Sequence, residues 1–367
     1  MIYHIWLREI AKIPCDKACR LICELGSAQA VYNASVHQLD RIVPLTEKEK
    51  EGFSRRDLSD AEGVAKKCAE KGIKILTFSD KAYPQRLKDI YSPPLVLYIL
   101  GNLPDVDHLP LFAIVGSRRP NYDSKTFAED MANNLTQAGM TVVSGLAEGI
   151  DTCAAEGALK SGNTVAVLGT AIDNPYPKYN SGLYREIMSH GAVVSEYPPG
   201  VRTYPSCFIE RNRIIAGLSV GVLVIQAGKK SGSLATARFC EEYGRYVFVS
   251  PGLPTKEEWQ GSHELLRSGA FYTVNCEDIL SQYDSIYSFN KIEKTESDPS
   301  DKIQVIGLPT GLSAEEGLIY AALDQERRAD EVSAICKLSA ERVSSLLTMM
   351  ELMGLVEQSG GQIFRRK

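Results

Sequence analysis

Residues 111–120 read LFAIVGSRRP. Five apolar residues run into Gly116-Ser117-Arg118-Arg119-Pro120, and a helical pattern follows over 125–137. A short apolar run without alternation suits a strand buried on both faces, as a helix-covered parallel sheet requires. Gly116 permits a sharp turn where the strand ends. The helix start beyond it presents N–H groups to an anion, and two guanidiniums add donors that match phosphate. The turn is not GxGxxG, so the dinucleotide fingerprint is missing. Two arginines on a solvated surface loop are an equally good reading of this stretch alone.

Similar runs lie at 73–78, 95–100, 141–143, 164–168, 192–194, 220–225 and 246–249. Helical patterns at 183–189 and 234–243 separate several of them. This alternation predicts an α/β domain over 61–281, a Rossmann-like fold with a parallel, helix-covered sheet. Ligands of such sheets bind beyond the carboxyl ends of the strands, so the chemistry is sought there.

The second turn is Ser144-Gly145-Leu146-Ala147-Glu148-Gly149-Ile150-Asp151. Its two glycines allow close backbone approach to a ligand. Asp151 reads as a helix cap rather than a catalyst, since no histidine partner lies nearby in sequence. The loop 169–180 carries Pro175, Tyr176, Pro177, Lys178, Tyr179 and Asn180, an aromatic and basic mixture that can stack a base and hold a phosphate. Further on, Phe208-Ile209-Glu210-Arg211-Asn212-Arg213 places two arginines before an apolar helix. They can face phosphates or pair with Glu196 and Glu210. Gln226-Ala227-Gly228-Lys229-Lys230-Ser231-Gly232-Ser233 forms an anion nest at a helix start without matching Walker A. The last run ends in Ser250-Pro251-Gly252. Each turn is ordinary. Five anion-friendly turns on one edge suit a polyanion better than a small cofactor, and no cofactor or metal is expected.

The 367 residues are 44% apolar and 24% charged, ordinary for a globular protein of two or three domains. Net charge is −5, which excludes a basic coat but not a local basic site. No run of about 18 apolar residues predicts a membrane span. Residues 1–12 carry Arg8, Glu9 and Lys12 and lack the apolar core of a secretory leader, so a cytoplasmic protein is expected. The nine cysteines are odd in number and include no CxxC, as in reduced thiols. Cys15, Cys19 and Cys23 recur every four residues on one predicted helix face, and core packing is preferred to a metal site.

Residues 1–60 read as a small helical module. Pro14 and Gly26 bracket one helix, 27–33 form a second, and 39–50 a third. Residues 282–302 are polar and aperiodic, the best linker in the chain. In 303–367, Ser313 and Glu316 have capping-box spacing. A helix at 330–336, a break at Lys337 and Leu338, a helix at 339–353 and a hairpin through Gly360 and Gly361 give winged-helix order. This region has seven bases against nine acids, net −2, and Arg342 is the lone base of the presumed recognition helix. Phosphate neutralisation needs several cations. The unit is therefore expected to bind protein, or its own chain, rather than duplex DNA, with Met349, Met350 and Met353 offering an adaptable apolar face.

The segments AIVGSRRP (113–120), SGLAEGID (144–151), VLGTAIDNPYPKYN (167–180), RNRIIAGLS (211–219), KKSGSLATAR (229–238) and VSPG (249–252) together resemble the DNA-processing protein A family, DprA/Smf. The upstream YPQRLKDIYSPPLVLYILGN (83–102) is similar to that family's entry into its Rossmann domain. The resemblance implies a non-enzymatic single-stranded DNA-binding protein that protects incoming strands and loads the RecA recombinase in natural transformation. It also implies a homodimer, with its dimer side at 234–243 and 262–275, and no membrane partner. The fold that the resemblance implies is an extended Rossmann-like fold with a mostly parallel sheet, to which a sterile-alpha-motif-like N-terminal module and a C-terminal winged helix are common additions in the family.

Carried over to this chain, the resemblance assigns DNA contact to Arg118 and Lys178. It places Gly116, Ser117, Arg119, Ser144, Gly145, Gly149, Asn180, Arg211, Asn212, Arg213, Lys229, Lys230, Ser231, Gly232 and Ser233 around the path. The chain departs from the family pattern at Glu148 (usually Arg), at Ala155 (usually His) and at Phe208-Ile209-Glu210-Arg211, where FPxRNR is usual, which brings in Glu210. It also departs at Gly261-Ser262-His263-Glu264-Leu265-Leu266, where GxNxLI is usual. The two glutamates put negative charge near the proposed path. The alternative is a nucleotide-processing enzyme of the Rossmann-like phosphoribohydrolase type. Its PGGxGTxxE stretch is lacking here, where KKSGSLATARFCEE stands instead.

Overall fold

The computed structural model describes residues 1–290, 312–323, 325–336, 338–359 and 363–366. The chain divides into two compact units, Met1–Ile292 and Glu293–Lys367. In the first, nine strands form one sheet: β1 (Lys74–Thr77), β2 (Val96–Gly101), β3 (Leu111–Gly116), β4 (Thr141–Ser144), β5 (Thr164–Leu168), β6 (Ala192–Ser195), β7 (Gly221–Ile225), β8 (Tyr246–Val249) and β9 (Phe271–Tyr272). Their order is β1-β2-β6-β5-β4-β3-β7-β8-β9. Strands β6 through β9 of that order run parallel, while β1 and β2 add antiparallel at one edge. Short apolar runs alone carry no direction, so the antiparallel edge was not legible in them. The β9 strand, only two residues long, falls below any periodicity signal.

All of Leu111–Val115 is buried, as are β4, β5, β6 and β7. Helices cover both faces, which explains the unbroken apolar runs. The helices of this unit include α1 (Cys15–Leu25), α2 (Tyr122–Gln137), α3 (Ile150–Leu159), α4 (Ser206–Leu218) and α5 (Ser233–Glu242). From β3 the chain steps through β4, β5 and β6 to one side, then crosses back to place β7 on the other side of β3. The order therefore reverses between β3 and β7, and a crevice opens beyond their carboxyl ends.

The N-terminal helices share a core with the sheet. Trp6, Leu21, Ile22 and Phe53 belong to the same buried cluster as Val96, Tyr98, Leu168 and Val193. In α1, Pro14 is the N-cap and Gly26 closes the helix at φ +85°, as Pro and Gly placement indicates. Ser27 caps Ala28–Asn33. The helix expected over 39–50 is instead two, Val36–Ile42 and Glu47–Ser54. Pro44 interrupts them, and Thr46 with Glu49 forms a capping box that starts the second. Cys15 and Cys19 are buried but Cys23 is exposed, because eight residues of helix drift about 80° out of register.

The second unit contains α6 (Ala314–Ala322), β10 (Arg327–Arg328), α7 (Ala329–Cys336), α8 (Ala340–Leu352), β11 (Val356–Ser359) and β12 (Ile363–Arg366). The three strands order as β10-β12-β11, the wing of a winged helix. Ser313 and Glu316 make the expected capping box, and Ser339 caps α8. Val343, Leu346, Leu347 and Met350 pack inward with Ile319, Val332 and Phe364. Most of the polar stretch at 282–302, Lys337 and the Gly360-Gly361 turn lie outside the described residues.

Candidate functional site

The crevice between β3 and β7 holds a cavity of about 540 Å3. Gly116, Ser117 and Arg118 enter it from the end of β3, and Gln226 and Gly228 from the end of β7. Phe208, Arg211 and Asn212 come from α4, and Lys230, Ser231, Gly232, Ser233 and Thr236 from the start of α5. The sheet's reversal thus gathers three of the five predicted turns into one concavity, together with Ala147 and Asp151 of a fourth.

Two arginines here have opposite situations. Arg211 is 5% exposed, and its guanidinium donates to the carbonyls of Gly145, at 2.8 Å, and Val167. Its Nε donates to Asn212 Oδ1 at 3.1 Å. Burial pulls its pKa down to about 10, against the opposing pull of Asp151, so it stays charged at neutral pH. A Cβ at Gly145 would lie 2.4 Å from that guanidinium, which explains glycine there. Arg211 is therefore fixed into the wall. Arg118 is exposed, and its guanidinium lies 5.8 Å from the centroid of Phe208. Among the described residues it has no ion-pair or hydrogen-bond partner.

Asp151 does not cap its helix as expected. Gly149 occupies the N-cap position at φ +85°, where a Cβ would meet the Ser117 carbonyl at 2.4 Å. Asp151 turns back instead, and its Oδ2 accepts from the Gly145 N–H at 2.9 Å. Burial raises its pKa, while Arg211 and the Gly145 amide oppose the rise.

Thr236 was not singled out by sequence. It is 1% exposed, lines the cavity, and its Oγ1 has no hydrogen-bond partner. A buried hydroxyl left unpaired costs about 1–3 kcal/mol, so this one invites an acceptor or donor from a ligand. The KSGSLAT spacing, which puts a threonine one turn into a helix that starts at an anion nest, was the available signal. Gln226, which heads the expected anion nest, adopts φ 50°, and its Oε1 accepts from Asn121 N at 2.9 Å, which ties the β7 turn to the start of α2.

A second cavity of about 750 Å3 adjoins the first through Arg118. Arg119 and Lys125 line it, as do Gly149, Glu129, Glu148 and Glu156. Its charges are balanced, three bases against three acids, whereas the first is lined by Arg118, Arg211 and Lys230 against Asp151 and Glu258. Burial and then the neighbouring Glu148 raise the Tyr179 phenol above its ordinary pKa. Ala155 is fully buried against the core, so the position of the missing histidine does not face either cavity. Glu210 is exposed beside Tyr197, with its carboxylate 3.5 Å from the phenol.

Several expected residues stand elsewhere. Arg213 leaves the cavity altogether: its NH2 donates to both oxygens of Glu196 at 2.8 Å. Glu196 also accepts from the Cys15 thiol at 3.1 Å and lies 3.7 Å from Arg8. Burial raises the Glu196 pKa, but Arg213 and Arg8 outweigh it and hold the carboxyl below its ordinary value. Residues two apart on a helix point about 200° from each other, so Arg211 and Arg213 cannot serve one ligand. Asn180 is buried and its Nδ2 donates to the Leu146 carbonyl at 3.1 Å and to Thr152 at 2.9 Å, which clamps two loops together. Ser144 is fully buried, with its hydroxyl accepting from Leu146 N at 3.4 Å. Lys229 pairs with Glu264 at 3.5 Å on the surface. Lys178 is exposed and lines neither cavity, although Tyr176 of the same loop meets Phe208 at 5.6 Å on the cavity wall.

Comparison with known proteins gives concordant matches. The family model described as DNA recombination-mediator protein A matches residues 74–284, and the DprA winged helix domain model matches 307–362. Protein Smf of Synechocystis is 35% identical over 326 residues, 81% of each chain. The X-ray structure of DNA processing protein A from Streptococcus pneumoniae superposes with a TM-score of 0.69 at 31% identity, covering 77% of this chain and 98% of that one. The Helicobacter pylori protein, whose structure is described in terms of its single-stranded DNA binding mode, gives 0.53 at 31% identity, with 58% and 97% coverage.

Proposed function

Because this chain belongs to the DprA/Smf family of DNA recombination-mediator proteins, we propose that it binds single-stranded DNA at the β3–β7 crevice, protects incoming strands and loads the RecA recombinase in natural transformation. The observation that carries the reading is the concavity in which Arg118 and Lys230 stand without carboxylate partners among the described residues, above the unpaired Thr236 hydroxyl. Arg118 and Lys230 neutralise phosphates at the rim. Phe208 and Tyr176 offer ring faces to unstacked bases, a sequence-tolerant contact worth about 1–3 kcal/mol per base. Arg211, Asp151 and Asn180 hold the loops in place. Sequence preference is weak, since phosphate contacts carry little base information.

The protein acts without catalysis in this reading. Asp151, the carboxylate deepest in the cavity, is already engaged by the Gly145 amide. A homodimer formed in the cytoplasm completes the proposal. The exposed aromatics Tyr246, Phe271 and Tyr272 at the β9 edge support a contact on that side. Recombinase loading rests on the family kinship.

The test is fluorescence anisotropy with labelled oligo-dT, beside a duplex of equal length. Tighter binding of the single strand, weakening as salt rises, supports the reading. Absence of single-strand binding at low salt, or release of base from nucleoside monophosphates, would overturn it in favour of nucleotide chemistry.

A further inference from the structure

A further cavity of about 640 Å3 opens beyond the carboxyl ends of β7 and β8. Ile225, which ends β7, and Ser250, which follows β8, both line it. It adjoins the β3–β7 cavity, since Glu258 lines both. Between the two, the Gln226 side chain of the β3–β7 cavity accepts from the backbone N–H of Asn121, which lines the β8 cavity. Ser250 is 3% exposed, and its Oγ has no hydrogen-bond partner. Its backbone N–H is already given to the Val224 carbonyl at 3.2 Å. A buried hydroxyl without a partner is rare in a native protein and needs an explanation.

The walls narrow the chemistry. Phe127, Ile225 and Trp259 give the β8 cavity an apolar side. Trp259 is buried and packs on Gly252, where a Cβ would collide with its ring. His263 steadies the same glycine by donating from Nε2 to its carbonyl at 3.1 Å. The indole is therefore fixed before any ligand arrives. Among the lining residues, Lys256 faces two carboxylates, Asp123 and Glu258. A phosphate gains little there and finds Arg118 and Lys230 in the neighbouring cavity. A flat, uncharged ring with polar edges suits both the apolar wall and the hydroxyl, since serine can donate or accept.

We propose that the β8 cavity takes an unstacked base of the bound single strand, next to the nucleotide at Arg118, with Trp259 against its ring and the Ser250 hydroxyl on its polar edge. The inference rests on the single-strand reading of the β3–β7 cavity and adds a seat for a base beside it. The occupant belongs to the same strand because the cavities share a wall at Glu258, so a strand whose phosphates lie at one rim reaches the other. It is a base rather than backbone because the carboxylates here outnumber the cation. A hydroxyl that donates or accepts admits every base, and stacking on an aromatic ring is equally tolerant of sequence.

The experiment uses the full chain with oligo-dT and an abasic strand of equal length. Binding is read by anisotropy of a dye on the strand and, separately, by indole emission. The chain has two tryptophans, and Trp6 is fully buried in the N-terminal cluster, so emission that changes on binding reports Trp259. Oligo-dT is expected to change the emission, and the abasic strand, which keeps the phosphates, to bind without changing it. Ser250→Ala should weaken oligo-dT binding about three- to tenfold, and thermal unfolding should not move, since the hydroxyl has no partner to lose. With the abasic strand that gap should close. Oligo-dT that binds with unaltered emission, and equally well to Ser250→Ala, would overturn the proposal and leave the single-strand reading standing. An emission change that persists in Trp259→Phe would overturn it too, since Trp6 would then be the reporter. So would a response to free thymidine but not to oligo-dT, which would make the occupant a free nucleoside. Failure of oligo-dT to bind at all would overturn both readings.

Discussion

At the sheet edge, Arg118 stands exposed over Phe208 with no ion-pair partner among the described residues, in one cavity with Lys230 and an unpaired hydroxyl. In the winged helix, Arg342, Arg365 and Arg366 are each closed down by Glu315, Glu357 or backbone carbonyls of their own unit. Both regions are built from motifs that bind nucleic acid in other proteins, and both carry arginine where such motifs need it. The difference lies in what the guanidiniums already hold. A cation engaged at 2.7–2.9 Å by its own chain must give up that partner before it can take a phosphate, and one facing water has only solvent to lose. Counting bases therefore says less about binding than asking which of them are still unclaimed.

The largest effect is expected from the most tightly held arginine. Glu196→Gln removes the charge that compensates Arg213 and Arg8, and should cost about 3–5 kcal/mol of stability at neutral pH. Because the native carboxyl titrates below its ordinary value, its contribution is full above the unfolded pKa of about 4.3 and is lost as pH falls through the depressed native value. The gap between variant and wild type in thermal unfolding should therefore narrow as pH is lowered from 7 towards 3. A gap that widens would contradict this account of Arg213.

Arg118→Ala should weaken single-strand binding by about 1–3 kcal/mol while thermal stability stays within about 0.5 kcal/mol. If stability drops instead, Arg118 belongs with the claimed arginines and the comparison fails. Thr236→Val keeps the shape and deletes the unpaired hydroxyl. It should leave stability unchanged or raise it by up to about 1 kcal/mol, and cost a few-fold in binding by equilibrium titration. A large loss of stability would mean the hydroxyl has a structural partner. Smallest of all, Arg342→Ala should leave DNA affinity unchanged and cost about 0.5 kcal/mol or less, as exposed ion pairs do. A drop in single-strand affinity in that variant would show that the winged helix shares the work.

Much of the architecture was legible because burial on both faces leaves unbroken apolar runs and because caps use few residue types. The runs at 111–115 and 164–168, Ser313 with Glu316, and Gly26 are examples. What escaped notice depends on direction and distance. Nothing in the run at 95–100 says that β2 runs antiparallel to β6. The RNR segment offered two arginines but not the 200° between them, a step that helical geometry supplies once α4 is recognised as a helix through both. Asp151 carries cap chemistry, yet Gly149 takes the cap because the approach of the Ser117 carbonyl admits no Cβ there. The KSGSLAT spacing places Thr236 one turn into its helix, but its isolation appears only when β3, β7, α4 and α5 close around it.

The central claim is most directly tested by the salt dependence of oligo-dT binding in wild type, Arg118→Ala and Arg342→Ala. Each phosphate contact on a single strand contributes about 0.7 to the slope of log K against log salt. The account predicts a slope shallower by about 0.7 in Arg118→Ala and the wild-type slope in Arg342→Ala. An unchanged slope in the first variant, with a shallower one in the second, would place the DNA on the winged helix and contradict it.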